Sequence, residues 1–378
     1  TTLGQGQYIV IVDTLIMLVA LAFFPRGLMG REAPALEQGQ VQRDRATDLP
    51  VARHVQIGAT LALVAGLAAF PFAASPYYIG VGILSLINLI LVTSYRTVTT
   101  MGGWSFAHIT MMALGAYTMA LLQTLYGLSF LLILPISGTV AAVAALIIAV
   151  PVMRTRQFYF FLSTFAAGEA IRQCFIQFRG VFGGIEGIPF LSPPEGFLGI
   201  SFYDTSSYYL MTLVLCLAFG GLLYLFDVSR TGRTVKAMAE NENLSSAVGI
   251  NTWAMKTLVF CIGSFFAGCA GALFAGYNGF VAPTDYTSQF MFKIIAAVII
   301  GGNRTFWGPV IGLIVLTGIE EALTDADQWV PMLWGMIIIL TVLFLPGGLE
   351  GSVQRFLARL GGQTPVGPGK ERADASRA

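Results

Sequence analysis

Glu169 and Arg172 stand three residues apart in the otherwise apolar run FFLSTFAAGEAIRQCF, so on a helix an acid and a base share one face. Two chemistries fit that spacing, a structural ion pair or contact with a polar ligand, and the pair is the simpler expectation. Lys293 interrupts FMFKIIAAVIIG and calls for either an acidic partner or an aqueous surface within reach. Asp13, in the first apolar stretch, is expected to face a neighbouring helix. His54 and His108 are the only histidines, and Cys174, Cys216, Cys261 and Cys269 lack paired ligand spacing, so neither a metal site nor a disulfide is expected. The GPGK at 367–370 is a phosphate loop only in appearance. Thr364 stands where the first Gly is needed, and Glu371 where a hydroxyl should hold magnesium.

These few polar groups sit in a chain built for lipid. Of 378 residues, 56% are hydrophobic and 11% charged, whereas soluble domains carry about 25% charge. The mean hydropathy is +0.74. The 21 basic and 20 acidic residues nearly cancel, which leaves no overall field to attract nucleic acid. The fold class expected is all-α, a polytopic integral membrane protein with about ten or eleven transmembrane helices.

A ruler of roughly 20 apolar residues per span places them at 8–24, 56–74, 77–94, 104–125, 129–150, 157–178, 207–226, 257–278, 289–302, 309–323 and 329–345. The pair 289–302 and 309–323 is short and joined through Gly301-Gly302 and Gly308-Pro309, so it reads as either a buried hairpin or two crossings. Residues 1–55 are expected to form a peripheral first helix, an anchor and not a cleaved signal, with a polar linker. Residues 56–350 form the core, and 351–378 a partly disordered tail. With Arg230, Arg233 and Lys236 placed inside, alternation puts Arg154 and Arg156, Arg96, the 26–53 linker and the C-terminal tail on that same side. The N-terminus then lies outside and the C-terminus in the cytoplasm.

The most informative polar stretch is SRTGRTVKAMAENENLSSAVGINTWAMK, residues 229–256, between two spans. Val235, Met238 and Ala239 give a small apolar face, Asn241–Asn243 break it, and a second short helix should end at Gly249. An ordinary polar loop is the plain alternative. GRTVKAMAENENLSSAVGIN resembles the cytoplasmic coupling loop of the permeases of branched-chain amino-acid ABC importers. The resemblance continues through FCIGSFFAGCAGALFAGYNGFVAPTDY at 260–286, AAVIIGGNRTFWGPVIG at 296–312, YFFLSTFAAGEAIR at 159–172, GGIEGI at 183–188 and SFAHITMMALGAYTMALL at 105–122. In order, these cover most of 101–351, and the chain looks most like the M-type permease.

That resemblance implies a heterodimer with a second permease, two cytoplasmic ATPase subunits, a periplasmic solute-binding protein and residence in the bacterial inner membrane. It also implies no cofactor on this chain, with ATP and magnesium on the ATPases, and no catalytic residues. The coupling role falls on Gly232, Arg233, Lys236, Ala237, Glu240, Asn241, Glu242, Ala247, Gly249 and Ile250. Ser105, His108, Thr110, Ser163, Thr164, Glu169, Ser264 and Asn278 are the candidates for lining a solute pathway, although for His108 a hydrogen-bonded interior position is the simpler expectation. The chain departs from the family at Arg96, at Ile109-Thr110-Met111 and at Lys293, which puts the identity of the solute in question. A self-sufficient transporter or channel is the rival reading, and would need coupling-ion carboxylates or a continuous polar pore; Glu169 alone answers that description.

Small residues indicate packing. Gly263, Ala267, Gly271 and Ala275 recur every four residues, and Gly308 with Gly312 do the same, so close helix contacts within the subunit are expected. GGWSFAHITMMALGAY and GGNRTFWGPVIGLIVL both begin with Gly-Gly, which suggests an internal inverted repeat.

Overall fold

A computed structural model describes residues 64–153, 155, 157–189, 204–303 and 305–322, with isolated positions 336 and 349. Among these the chain is helical, with one isolated bridge between Ile188 and Val281. After an apolar helical segment Val64–Ala73 come α1 (Pro76–Thr99), α2 (His108–Tyr126), α3 (Phe130–Val152), α4 (Gln157–Gln177) and the short α5 (Arg179–Phe182). They are followed by α6 (Thr205–Val228), α7 (Arg230–Glu240), α8 (Glu242–Ala247), α9 (Thr252–Asn278), α10 (Ser288–Gly301) and α11 (Gly308–Ala322). Five of these, α1, α2, α3, α6 and α9, are long and apolar enough to cross a membrane. The expected span at 8–24, the span at 329–345 apart from position 336, the linker, the tail, Asp13 and His54 lie outside the described residues, as do residues 56–63 of the span expected at 56–74.

The centre of the fold is α9, which packs against α1, α2 and α3. Its small residues make this possible. A methyl group at Gly271 would collide with the Met112 carbonyl of α2, and one at Gly263 with the Val98 side chain of α1. On the adjoining face, a Cβ at Gly268 would sit 2.7 Å from the Ser137 carbonyl oxygen of α3, and one at Gly115 of α2 would strike the Gly268 backbone. Ala267 and Ala275 are fully buried. Without a hydrophobic drive between helices in lipid, such close backbone approach supplies the association energy through dispersion contacts.

The short pair α10 and α11 forms an antiparallel hairpin closed by glycines. A side chain at Gly301 would meet the Gly308 carbonyl, and one at Gly312 the Ala297 carbonyl. At 14 and 15 residues each helix rises roughly 21–23 Å, less than the about 30 Å hydrocarbon thickness. Lys293 finds its acid here, its Nζ lying 2.6 Å from Glu320 Oε2 across the hairpin.

The span expected from Trp104 begins instead at His108. Gly102, at φ +85°, turns the chain after α1, and residues 100–107 form a helix break. The break between α10 and α11 has the same form. Gly302 at φ +96° is followed by Phe306 four residues later and a new helix at Gly308, just as Gly102 is followed by Phe106 and His108. The alignment is therefore one residue off the Gly-Gly register. The two breaks meet where Thr99 Oγ1 donates to Asn303 Oδ1 at 3.1 Å.

Replacing Gly271 with Val is expected to destabilise the protein by at least about 1–3 kcal/mol, since backbone and not a movable side chain occupies the space. Gly220, with nothing near its missing Cβ, should accept Ala with a neutral or slightly stabilising effect. Thermal unfolding of the purified variants in detergent checks the contrast.

Candidate functional site

The segment between α6 and α9 folds as a helix pair whose geometry follows from a few residues. Ser229 ends α6 and begins α7: its hydroxyl donates to the Phe226 carbonyl at 2.6 Å and accepts from the Gly232 N–H at 3.1 Å. Gly232 is buried directly over the end of α6, where any side chain would collide with the Phe226 and Asp227 carbonyls. Only glycine lets α7 double back this tightly. Asn241 caps α8 by accepting from Leu244 N–H at 2.9 Å, and Asn251 caps α9 from Ala254 N–H at 3.0 Å. Gly249, at φ +89°, closes α8 with Ile250 N–H on the Ser245 carbonyl and Gly249 N–H on the Ser246 carbonyl, both at 3.1 Å, which is a Schellman arrangement.

One face of α7 is anchored and the other is open. Gly232, Val235 and Met238 are buried at three-residue intervals, and Ala239 packs on Gly102 of the α1–α2 break. Arg233, Ala237, Glu240, Asn241, Glu242, Ala247 and Gly249 are exposed, and Ile250 is half-buried. Lys256 Nζ lies 2.7 Å from Glu242 Oε1 and holds α8 to the start of α9. Lys236 behaves differently from its neighbours: its ammonium turns back to Asp227, 2.7 Å from Oδ2, at the carbonyl end of α6 where a cation is favoured. Asp227 is shared. Its Oδ1 accepts from Arg96 Nη1 of α1, a side chain with no exposure, whose guanidinium also stands 5.8 Å from the Phe306 ring in the α10–α11 break.

Asp227 therefore joins α1, α6 and α7, while Arg96 and Phe306 extend the cluster to the hairpin. Sequence reading missed Asp227, which falls one residue past the span expected to end at Phe226. It also missed two apolar side chains on the open face, Leu244 and Val248, which are 62% and 70% exposed. Two such residues on a polar helix pair form a surface with no covering among the described residues. A helix of six residues is too short for periodicity to reveal them.

The interior polar residues divide into two sets. Ser105, His108 and Ser264 are completely buried in packed protein, with His108 Nε2 2.9 Å from Ser94 Oγ and its ring against Tyr95. Ser105 Oγ accepts from Ala107 N–H at 3.3 Å. Thr164 bonds the Phe161 carbonyl and receives the Phe106 N–H at 3.0 Å, and Ser163 bonds the Tyr159 carbonyl at 2.6 Å. Asn278 ends α9, half-buried. Thr110, itself buried, and Glu169 border a narrow cleft between α2, α4 and the start of α10, with room for about one water molecule. There Arg172 grips Glu169 in bidentate fashion, Nε to Oε2 at 2.9 Å and Nη2 to Oε1 at 2.6 Å, with Gln173 adding a bond at 2.7 Å.

With this geometry in view, residues 77–346 match the profile of the family described as branched-chain amino acid transport system / permease component. The chain belongs to this family. It is 30% identical over 318 residues to the high-affinity branched-chain amino acid transport system permease protein LivM of Escherichia coli, covering 76% of this chain and 73% of that one. LivH of the same organism is 33% identical over 142 residues, 37% of this chain and 46% of LivH. The autoinducer 2 import system permease protein LsrC of Klebsiella pneumoniae is 33% identical over 198 residues, 47% of this chain and 54% of LsrC. No solved structure matches the chain significantly. The matched family is one of transport permeases, and the match takes in both helix breaks, the α7–α8 pair and the cleft.

Removing Asp227 by substitution with Ala leaves Arg96 buried without its counter-charge, a loss expected to cost about 3–5 kcal/mol. Lys236→Met should cost under about 1 kcal/mol, because that side chain is 38% exposed and screened by solvent. Thermal melts of the two variants test the ranking; equal shifts would show that Lys236, and not Arg96, depends on Asp227.

Proposed function

We propose that this permease subunit forms, with a second homologous permease, the pathway of an ABC importer for branched-chain amino acids or a similar small organic solute. In this reading two ATPase subunits, carrying ATP and magnesium, grip the α7–α8 pair from the cytoplasm, and a periplasmic binding protein delivers the solute. The full chain crosses the inner membrane about ten or eleven times, its N-terminus outside and its C-terminus inside.

The observation that carries this reading is the contrast between the two faces of the α7–α8 pair. One is fastened to the helical body through Val235, Met238 and the Asp227 cluster; the other presents Arg233, Glu240, Glu242, Leu244 and Val248 outward. A motor protein moves a membrane body only through an element that is stiff at its base and free at its tip, and a capped helix pair lying in a groove of the motor meets both needs. LivM and LivH are named as permease proteins of a transport system and LsrC as one of an import system, which supports the same role. The two relatives with branched-chain amino acids in their names support the solute class.

Substituting both Leu244 and Val248 with Asp is expected to abolish copurification of the ATPase subunits while leaving membrane insertion intact, since neither side chain contributes to the core. Gly249→Val, strained at φ +89° but free of steric contact, should lower solute-stimulated ATP hydrolysis through local distortion at the α8–α9 junction. Full ATPase association and coupling in both variants would defeat the assignment of this surface.

A further inference from the structure

The depth of the Glu169–Arg172 pair can be read from the rings around it. Phe161 and Phe165 of α4 meet Phe106, just before α2, with ring centroids 4.8 and 5.6 Å apart, and Phe175 stacks on Tyr117, midway along α2, at 4.2 Å. The two helices therefore run parallel, and Glu169 and Arg172 lie level with the first half of a membrane span. Phe165, Glu169, Arg172 and Ile176 recur at steps of four, three and four residues, which sets them on one side of α4, while Phe160, Ser163 and Ala167 are buried on the other. Phe165 is 37% exposed, and the Glu169 and Arg172 side chains are each 23% exposed. Charged groups at this depth are costly against hydrocarbon. A side of the molecule that suits lipid looks different: on α3, Leu132, Val143 and Ile147 are more than half exposed and wholly aliphatic. With 21 residues α4 is long enough to span, yet it is not among the five helices whose apolar character suits them to do so.

We propose that this side of α4 is the surface on which a second, homologous permease subunit packs. The hydrogen-bonding groups of the stripe specify that partner. Arg172 donates Nε and Nη2 to Glu169, which leaves Nη1 for an acceptor outside the pair, and Gln173 Nε2 donates to Glu169 Oε1, which leaves the amide oxygen for a donor. A donor and an acceptor side by side are answered by a helix that carries the same two groups at the same depth, and a related subunit placed about a two-fold axis along the membrane normal supplies such a helix. Lipid tails supply neither group. LivM and LivH of Escherichia coli, both similar to this chain, bear one transport-system name, as two related permeases of one importer would. The inference rests on the importer reading above and adds the face at which the two permeases meet.

The test uses the complete importer in its native membrane, with an epitope tag on the second permease. Phe165 is replaced with the photoreactive residue p-benzoyl-phenylalanine, and Ile147, on the aliphatic side of α3, is replaced in the same way as a control. Irradiation should join the Phe165 variant to the tagged permease and leave the Ile147 variant without that adduct. In parallel, E169L with R172L turns the stripe aliphatic and should cut recovery of the second permease with this chain roughly tenfold or more, with membrane insertion retained. Unchanged recovery would place α4 against lipid, where leucine is better tolerated than an ion pair, and would overturn the proposal. A Gln173→Cys variant should resist a membrane-impermeant thiol reagent; labelling above the level of the unaltered chain would mark a water-filled pathway and overturn it equally. If the doubly substituted chain does not insert, the Phe165 adduct decides by itself. Failure of the unaltered chain to copurify with any second permease would defeat the importer reading, and this face with it, whereas copurification without a Phe165 adduct defeats the face alone.

Discussion

Arg96 is the constraint around which the rest of this molecule is arranged. A guanidinium with no solvent exposure, in a body made mostly of apolar side chains, is tolerable only beside a fixed opposite charge. Asp227 supplies that charge from the last turn of α6 and so fixes where α1 and α6 meet. Its second oxygen is then available to Lys236, which sets the angle at which α7 leaves the membrane body. The Phe306 ring beside Arg96 brings the α10–α11 break into the same cluster. One carboxylate thereby joins three helices, α1, α6 and α7.

This cluster adjoins a body that resists deformation. Around α9, the glycines at 115, 263, 268 and 271 bring backbones so close that even a methyl group is excluded, and the same holds between α10 and α11 at Gly301 and Gly312. Packing of this kind does not bend gradually; it holds or it re-forms elsewhere. At its edge α4 borders the cleft, and the helix breaks after α1 and α10 are themselves packed, with Phe106 and Phe306 buried.

How much of this was legible in the sequence depended on whether the signal was local. The helix pair at 229–256 was visible because Ser229, Asn241 and Gly249 act within four residues of themselves, as caps and turns do. The small-residue face of α9 was visible because one side of a helix repeats every four residues, but Gly268, on the adjoining side, escaped that pattern. The Arg96–Asp227 pair spans 131 positions, and no periodicity connects its members. Lys236 reads as an outward contact because its partner, Asp227, lies beyond the polar loop in α6, and the ammonium turns back to that carboxylate, 2.7 Å from Oδ2. The start of α2 was placed at Trp104 because Trp104 and Phe106 are apolar, whereas the positive φ at Gly102 sets the turn after α1 and the new helix begins only at His108. Glu320, the partner of Lys293, lay in a stretch read only as apolar span.

Ser229, Asn241 and Asn251 each cap the helix that follows them, so every helix from α7 to α9 carries its own start signal, independent of what touches its outer side. Sequence change on that outer side is therefore uncoupled from the folding of the segment. In the importer reading proposed above, a lineage could exchange one energising subunit for another by altering a handful of outward residues, leaving the fastening beneath untouched. Permeases with different cargoes would in this way share a mechanical socket while diverging freely in what they accept.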